Sequence, residues 1–151
     1  MWKRGLAIVV LAAAVTRAAP QPTLDDLLTC MAYNSFLDVA RTHPGNEVKT
    51  PESVAKRRGY RIQEYACAVS EKKPFKWWNA QSAEAMVRLR EEAGDWSKFA
   101  EMQAKYDEKC VPAAELADQY LAGNKGAGCN FPMSEMMEGL ESALEFGKKT
   151  Q

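Results

Sequence analysis

The segment TLDDLLTCMAYNSFLDVAR, residues 23–41, carries its apolar residues at helical spacing and none of the period-two alternation of a strand. Leu24, Leu28, Met31, Ser35 and Val39 stack on one face, and Leu27, Ala32 and Phe36 widen it. The same spacing recurs to the end of the chain, and no stretch sustains an alternation of β-branched residues. We therefore expect an all-α fold: a small disulfide-stabilised bundle of about five or six helices.

His43-Pro44-Gly45-Asn46 ends the first helix. Thr50 as N-cap and Pro51 at the first helical position open a second, which runs to about Ser70 and carries Val54, Ile62, Tyr65 and Val69. Residues 71–78 read as a connector. Asn79 then caps a third helix that ends at Gly94, where glycine suits the left-handed position after a helix. Asp95 caps a fourth, with Trp96, Phe99, Met102 and Tyr106 at helical spacing, which stops near Cys110. Pro112 begins a short fifth helix ending before Gly123, and Gly123 to Gly128 form a loop. In the last helix, residues 132–147, Met133, Met136, Met137, Leu140 and Leu144 share one side and are expected in the core. Glu135, Glu138, Glu141 and Glu145 share the other, as a solvated face or an acidic docking face.

Ahead of these helices, Lys3 and Arg4, the apolar run Gly5 to Val15 and the small-residue exit Thr16 to Pro20 have the pattern of a secretory signal. We expect cleavage after Ala18, giving a signal peptide at residues 1–18 and a single helical domain at residues 19–151. That division removes three basic residues and no acidic one, which leaves 17 against 20 and a formal charge of −3. A mildly acidic product has no global attraction for nucleic acid or anionic membrane. No transmembrane segment is expected in the mature chain, because the apolar run falls short of the roughly 20 residues a spanning helix needs. The expected location is secreted, in the bacterial periplasm.

Cys30, Cys67, Cys110 and Cys129 all lie in the mature part, and an even count in an exported chain argues for two disulfides of about 2–4 kcal/mol each. If the first two helices form a hairpin and Cys110 and Cys129 flank a short fifth, the favoured pairs are Cys30 with Cys67 and Cys110 with Cys129. One observation counts against this pairing. At 100° per residue, Cys67 points away from the apolar stripe of its own helix. His43 is the only histidine and no Cys-x-x-Cys spacing occurs, so the sequence assigns no metal and no cofactor.

The candidate binding residues are Lys72, Lys73, Phe75, Lys76, Trp77 and Trp78, a connector with three cations and three aromatics. The aromatics supply anchors, and the lysines attract phosphate, carboxylate or an acidic partner. On this reading Trp78 is at the surface, and its loss weakens binding while leaving the thermal midpoint nearly unchanged. The alternative is that Phe75 and one tryptophan plug the end of the bundle while the lysines are solvated. Asp38 and Arg58 both fall inside apolar arcs at one level of the hairpin and are expected to form a buried ion pair.

No nucleophile-and-base motif occurs, and no catalytic residue is assigned. The expected function is a protein-interaction module of inhibitor, immunity or adaptor type, whose partner is a protein of the exported compartment. Two alternatives stand beside it. Glu52-Ser53 and Glu141-Ser142 resemble the Glu-Ser pair of helical lytic transglycosylases, although the glycine and glutamine pattern of that family is absent. The resemblance implies a cell-wall-active hydrolase or lyase using a helix-borne acid such as Glu52. The second alternative is a carrier of a small hydrophobic or anionic ligand, with Arg58 as the anchor.

Overall fold

The computed structural model describes residues 20–149, except for the side chains of residues 139, 140, 142–144, 146, 147 and 149. The expected signal peptide lies outside the described residues. Five helices and no strand occur among them: α1 (Leu24–Arg41), α2 (Glu52–Val69), α3 (Phe75–Ala93), α4 (Phe99–Gly123) and α5 (Met133–Lys149). No described helix is long and apolar enough to cross a membrane.

Helix α1 begins where the sequence places it. Thr23 and Asp26 form a capping box, in which the Asp26 amide donates to Thr23 Oγ1 at 3.1 Å and the Thr23 amide donates to Asp26 Oδ2 at 2.9 Å. Its buried side chains, among them Leu27, Tyr33, Phe36 and Leu37, take up more than one stripe. The reason is that α1 is the central element, packed against α2, α3 and α4, whereas α5, among the described residues, packs only against α3.

Three helix starts differ from the sequence expectation. In α2 the N-cap is Pro51, not Thr50, and Pro51 O accepts from the Val54 and Ala55 amides at 3.1 and 3.0 Å. Thr50 is instead buried, and its carbonyl accepts from the Arg41 guanidinium. Helix α3 starts at Phe75 after Pro74, four residues before Asn79, because burial of its aromatic first turn outweighs the missing side-chain cap. Before α4, Asp95 Oδ1 accepts from the Ser97 amide at 3.1 Å in a local turn, and the helix itself begins at Phe99.

Pro112 does not divide the fourth helix. It sits inside α4, which runs unbroken over 25 residues. Proline removes one backbone donor, but Cys110, Ala113, Ala114 and Ala117 on both sides of it are buried against the core. That burial holds the two halves in line.

The continuous α4 also changes the disulfide pairing. Cys110 stays on the face of α4 that meets α1 and bonds Cys30, with a Cα separation of 5.3 Å. Cys67 bonds Cys129 across 4.9 Å. The expected pairs Cys30 with Cys67 and Cys110 with Cys129 are therefore replaced. The first bridge is in the core, with Cys30 at 0% and Cys110 at 2% exposure, while the second is half-buried. Both bridges cross-link distant parts of the chain, 80 and 62 residues apart, and in the chain-entropy picture each contributes about 4 kcal/mol.

Candidate functional site

Residues 71–74 lead directly into the first turn of α3, which is formed by Phe75, Lys76, Trp77 and Trp78. Trp78 points into the core and is 2% exposed, so the expectation that it lies at the surface is corrected. It meets Trp77 edge to face at 5.0 Å. Trp77 is half-buried, and the Lys73 ammonium lies over its ring at 5.4 Å while also pairing with Glu71 at 3.9 Å. Lys72 and Lys76 are exposed and, among the described residues, have no carboxylate within 4.0 Å.

The glycine-rich loop after α4 comes back onto this segment. The Cys67–Cys129 bridge ties it to the end of α2, and Phe131 meets Phe75 edge to face at 5.2 Å. Glu64 holds the loop from below, its Oε2 accepting from the Cys129 amide at 3.1 Å. Gly128 suits that place twice over: its φ of 153° is one that L side chains rarely adopt, and a Cβ would push the Glu64 carboxylate from its position. On the other side, Glu135 Oε2 accepts from the Phe75 amide at 3.4 Å and attaches α5 to the start of α3.

Together these elements enclose a cleft of about 360 Å³, lined by Lys72, Lys73, Trp78, Gly128, Cys129 and Phe131 among others. Lys72, Lys73 and the Glu71 carboxylate rim an aromatic and disulfide wall, and the Glu71 pairing with Lys73 leaves Lys72 as the rim cation with no carboxylate within 4.0 Å among the described residues. Such a surface holds a carboxylate beside an apolar side chain. The two stretches singled out in the sequence are thus brought together, although Trp78 contributes as a buried wall.

Other sequence candidates separate. Asp38 faces Arg41 at 3.7 Å, one helical turn away, and no ion pair joins it to Arg58 among the described residues. Both are only half-buried. The hairpin register sets Gly59 against Asn34, one turn before Asp38. Glu52 is exposed on the first turn of α2, and its hydrogen bond from Lys56 holds its carboxyl below the usual range. A general acid needs the opposite shift. Met133, Met136 and Met137 are 72, 37 and 51% exposed, which corrects their expected place in the core. Four helices already close that core, and among the described residues α5 packs against α3 without contributing to it. Leu140 and Leu144 lie outside the described side chains. Glu138, Glu141 and Glu145 are exposed, while Glu135 is half-buried at α3.

Two arrangements have no sequence signal. Gln103 is 2% exposed, and its amide pins the α1–α2 loop: Oε1 accepts from the Lys49 amide at 2.9 Å and Nε2 donates to Glu47 O at 3.1 Å. Trp96 takes a left-handed backbone with φ of 74°, an unfavourable place for a bulky residue. Packing holds it there, between the Arg90 guanidinium at 4.6 Å and the rings of Phe36, His43 and Phe99 at 5.4, 5.3 and 6.0 Å.

Two tyrosines anchor polar networks beside α4. Burial, then the hydrogen bond to Asp107 at 2.9 Å, pushes the Tyr33 hydroxyl far above its ordinary range. Burial and a 2.6 Å bond to Glu92 raise Tyr106 in the same way. Comparison with known proteins finds no matching protein-family model, no matching curated protein and no matching solved structure.

Proposed function

We propose that this chain is an exported binding module that docks an acidic segment of another protein in the cleft between residues 71–78 and the loop 124–131. The observation that carries this reading is the cleft itself. Lys72 and Lys73 rim an apolar wall, and Lys72 has no intramolecular counter-ion among the described residues. The unpaired Lys72 steers an acidic partner, and desolvated aromatic walls supply the anchoring energy. Phe131 and Ala127 line the cleft, and Phe75, against Phe131, and the half-buried Trp77 extend the apolar surface beside it. The two disulfides fit an oxidising compartment. With the signal pattern at residues 1–18, they support secretion into a bacterial periplasm.

The test is affinity capture from the native exported fraction by the oxidised protein, run beside a Lys72→Glu/Lys76→Glu variant of matched melting temperature. Retention of one stoichiometric protein by the parent and its loss from the variant supports the reading. Equal retention by both, or no retained protein, contradicts it.

A further inference from the structure

A second concavity lies on a different part of the molecule. Helices α2 and α3 both pack on α1, yet among the described residues none of their Cα atoms come within 8 Å of each other. They diverge and leave a groove of about 290 Å³ with α1 as its floor. At Gly59 the absence of a side chain lets α2 lie close to α1, since a Cβ there would stand 3.3 Å from Asn34 Cβ. The opening is consequently displaced to the α3 side.

Chemically, the lining differs from that of the lysine cleft. Hydrogen-bonding side chains come from all three helices: Asn34 and Asp38 from α1, Tyr60 and Gln63 from α2, Asn79 and Ser82 from α3. Asn34 is 3% exposed, and its amide nitrogen is held by Cys30 O at 2.8 Å, which fixes the floor. Asp38 Oδ1 is buried facing Arg41 Nε at 3.7 Å, beyond hydrogen-bond length. Charges are balanced locally, because Asp38 faces Arg41 and Lys56 pairs with Glu52. A strong anion or cation therefore finds no complementary field. Aromatic surface comes from Tyr60, 59% exposed at the rim, while Trp78, 2% exposed, closes the inner wall.

We infer that this groove binds a neutral, hydroxyl-rich ligand, a single sugar ring. Amide, hydroxyl and carboxylate groups at different heights match vicinal hydroxyls that both donate and accept. Aromatic surface matches the C–H face of a pyranose, and the volume lies at the small end of ligand pockets. Trp78 lines both the groove and the lysine cleft, so a change at its ring answers to either cavity, and the side-chain amides of Asn34, Gln63 and Asn79 distinguish the groove.

The test is a ¹⁵N NMR titration of the oxidised protein with glucose and, separately, N-acetylglucosamine, followed through the side-chain amides of Asn34, Gln63 and Asn79 and the Trp78 indole. Saturable shifts confined to these signals, with a Kd in the millimolar range for at least one sugar, are expected. Asn79→Ala, at an exposed site, weakens that binding about tenfold, as loss of one hydrogen bond requires. The inference is overturned if neither sugar shifts these signals saturably, or if Asn79→Ala and a groove-filling Ser82→Tyr variant bind as the parent does.

Discussion

Glu64 and Cys129 are joined by a hydrogen bond from the Cys129 amide to Glu64 Oε2 at 3.1 Å, and Gly128 leaves the space in which that carboxylate sits. The loop position thus depends on a missing side chain as much as on the disulfide beside it. Gly128→Ala is expected to destabilise by about 1–3 kcal/mol through overpacking and to displace the loop from the lysine segment. Adding Glu64→Ala makes room and recovers part of the loss. Chemical denaturation of the two single variants and the double variant measures the coupling, and simple additivity would contradict the contact.

Trp78 is one of the largest buried side chains. Trp78→Ala is expected to lower stability by about 3–5 kcal/mol, or roughly 10–20 °C in melting temperature, because it empties the space between α1 and α3. An unchanged thermal midpoint would return the ring to the surface.

Replacing Gln103 with leucine removes both hydrogen bonds to the α1–α2 loop and leaves the Lys49 amide and Glu47 carbonyl without partners. We expect a loss of about 2–3 kcal/mol. Native-state hydrogen exchange at the Lys49 amide should speed up by more than exchange in α2, and equal acceleration of both would show that the clamp is not local.

Two partly buried carboxyls, Asp26 and Glu92, contribute to acid sensitivity. Hydrogen bonds from Lys109 and from the Thr23 amide hold Asp26 below its ordinary range. Burial pushes Glu92 upward, but hydrogen bonds from Lys105 and Tyr106 prevail and keep it low as well. In the unfolded chain these groups titrate at about 3.9 and 4.3. Below those values the unfolded state binds more protons than the folded one, so this stabilisation is complete above them and is lost as pH falls through the folded values. Melting temperature should therefore fall steeply on the acid side, with a shallower slope in Asp26→Asn and Glu92→Gln. The raised tyrosines act at the other end. Above about pH 10 the unfolded chain releases their protons first, and stability declines with further increase.

Helix α1 was legible because its cap, its spacing and its stop agree. Starts at Pro51 and Pro74 were harder, since both prolines stand at the N-cap and not at the first helical position that proline favours, and burial of Phe75 and Trp78 decides the start of α3. Pro112 gave the wrong punctuation for a related reason: packing on both sides of it outweighs one lost donor. That misreading carried through to the disulfides, because a break after Cys110 would turn it from Cys30 toward Cys129. The lysine and aromatic residues of the candidate site were legible as composition. Their meeting with the glycine loop was not, because it depends on the Cys67–Cys129 bridge and on the Glu64 carboxylate, which are contacts between distant parts of the chain.

Hydrogen–deuterium exchange of the oxidised protein, alone and saturated with the protein it captures, tests the docking face most directly. Protection confined to residues 71–78 and 124–131, and absent with Lys72→Glu/Lys76→Glu, is the expected footprint. Protection on the outer face of α4 or along α5, or none in the two cleft segments, would place the partner elsewhere and contradict the proposal.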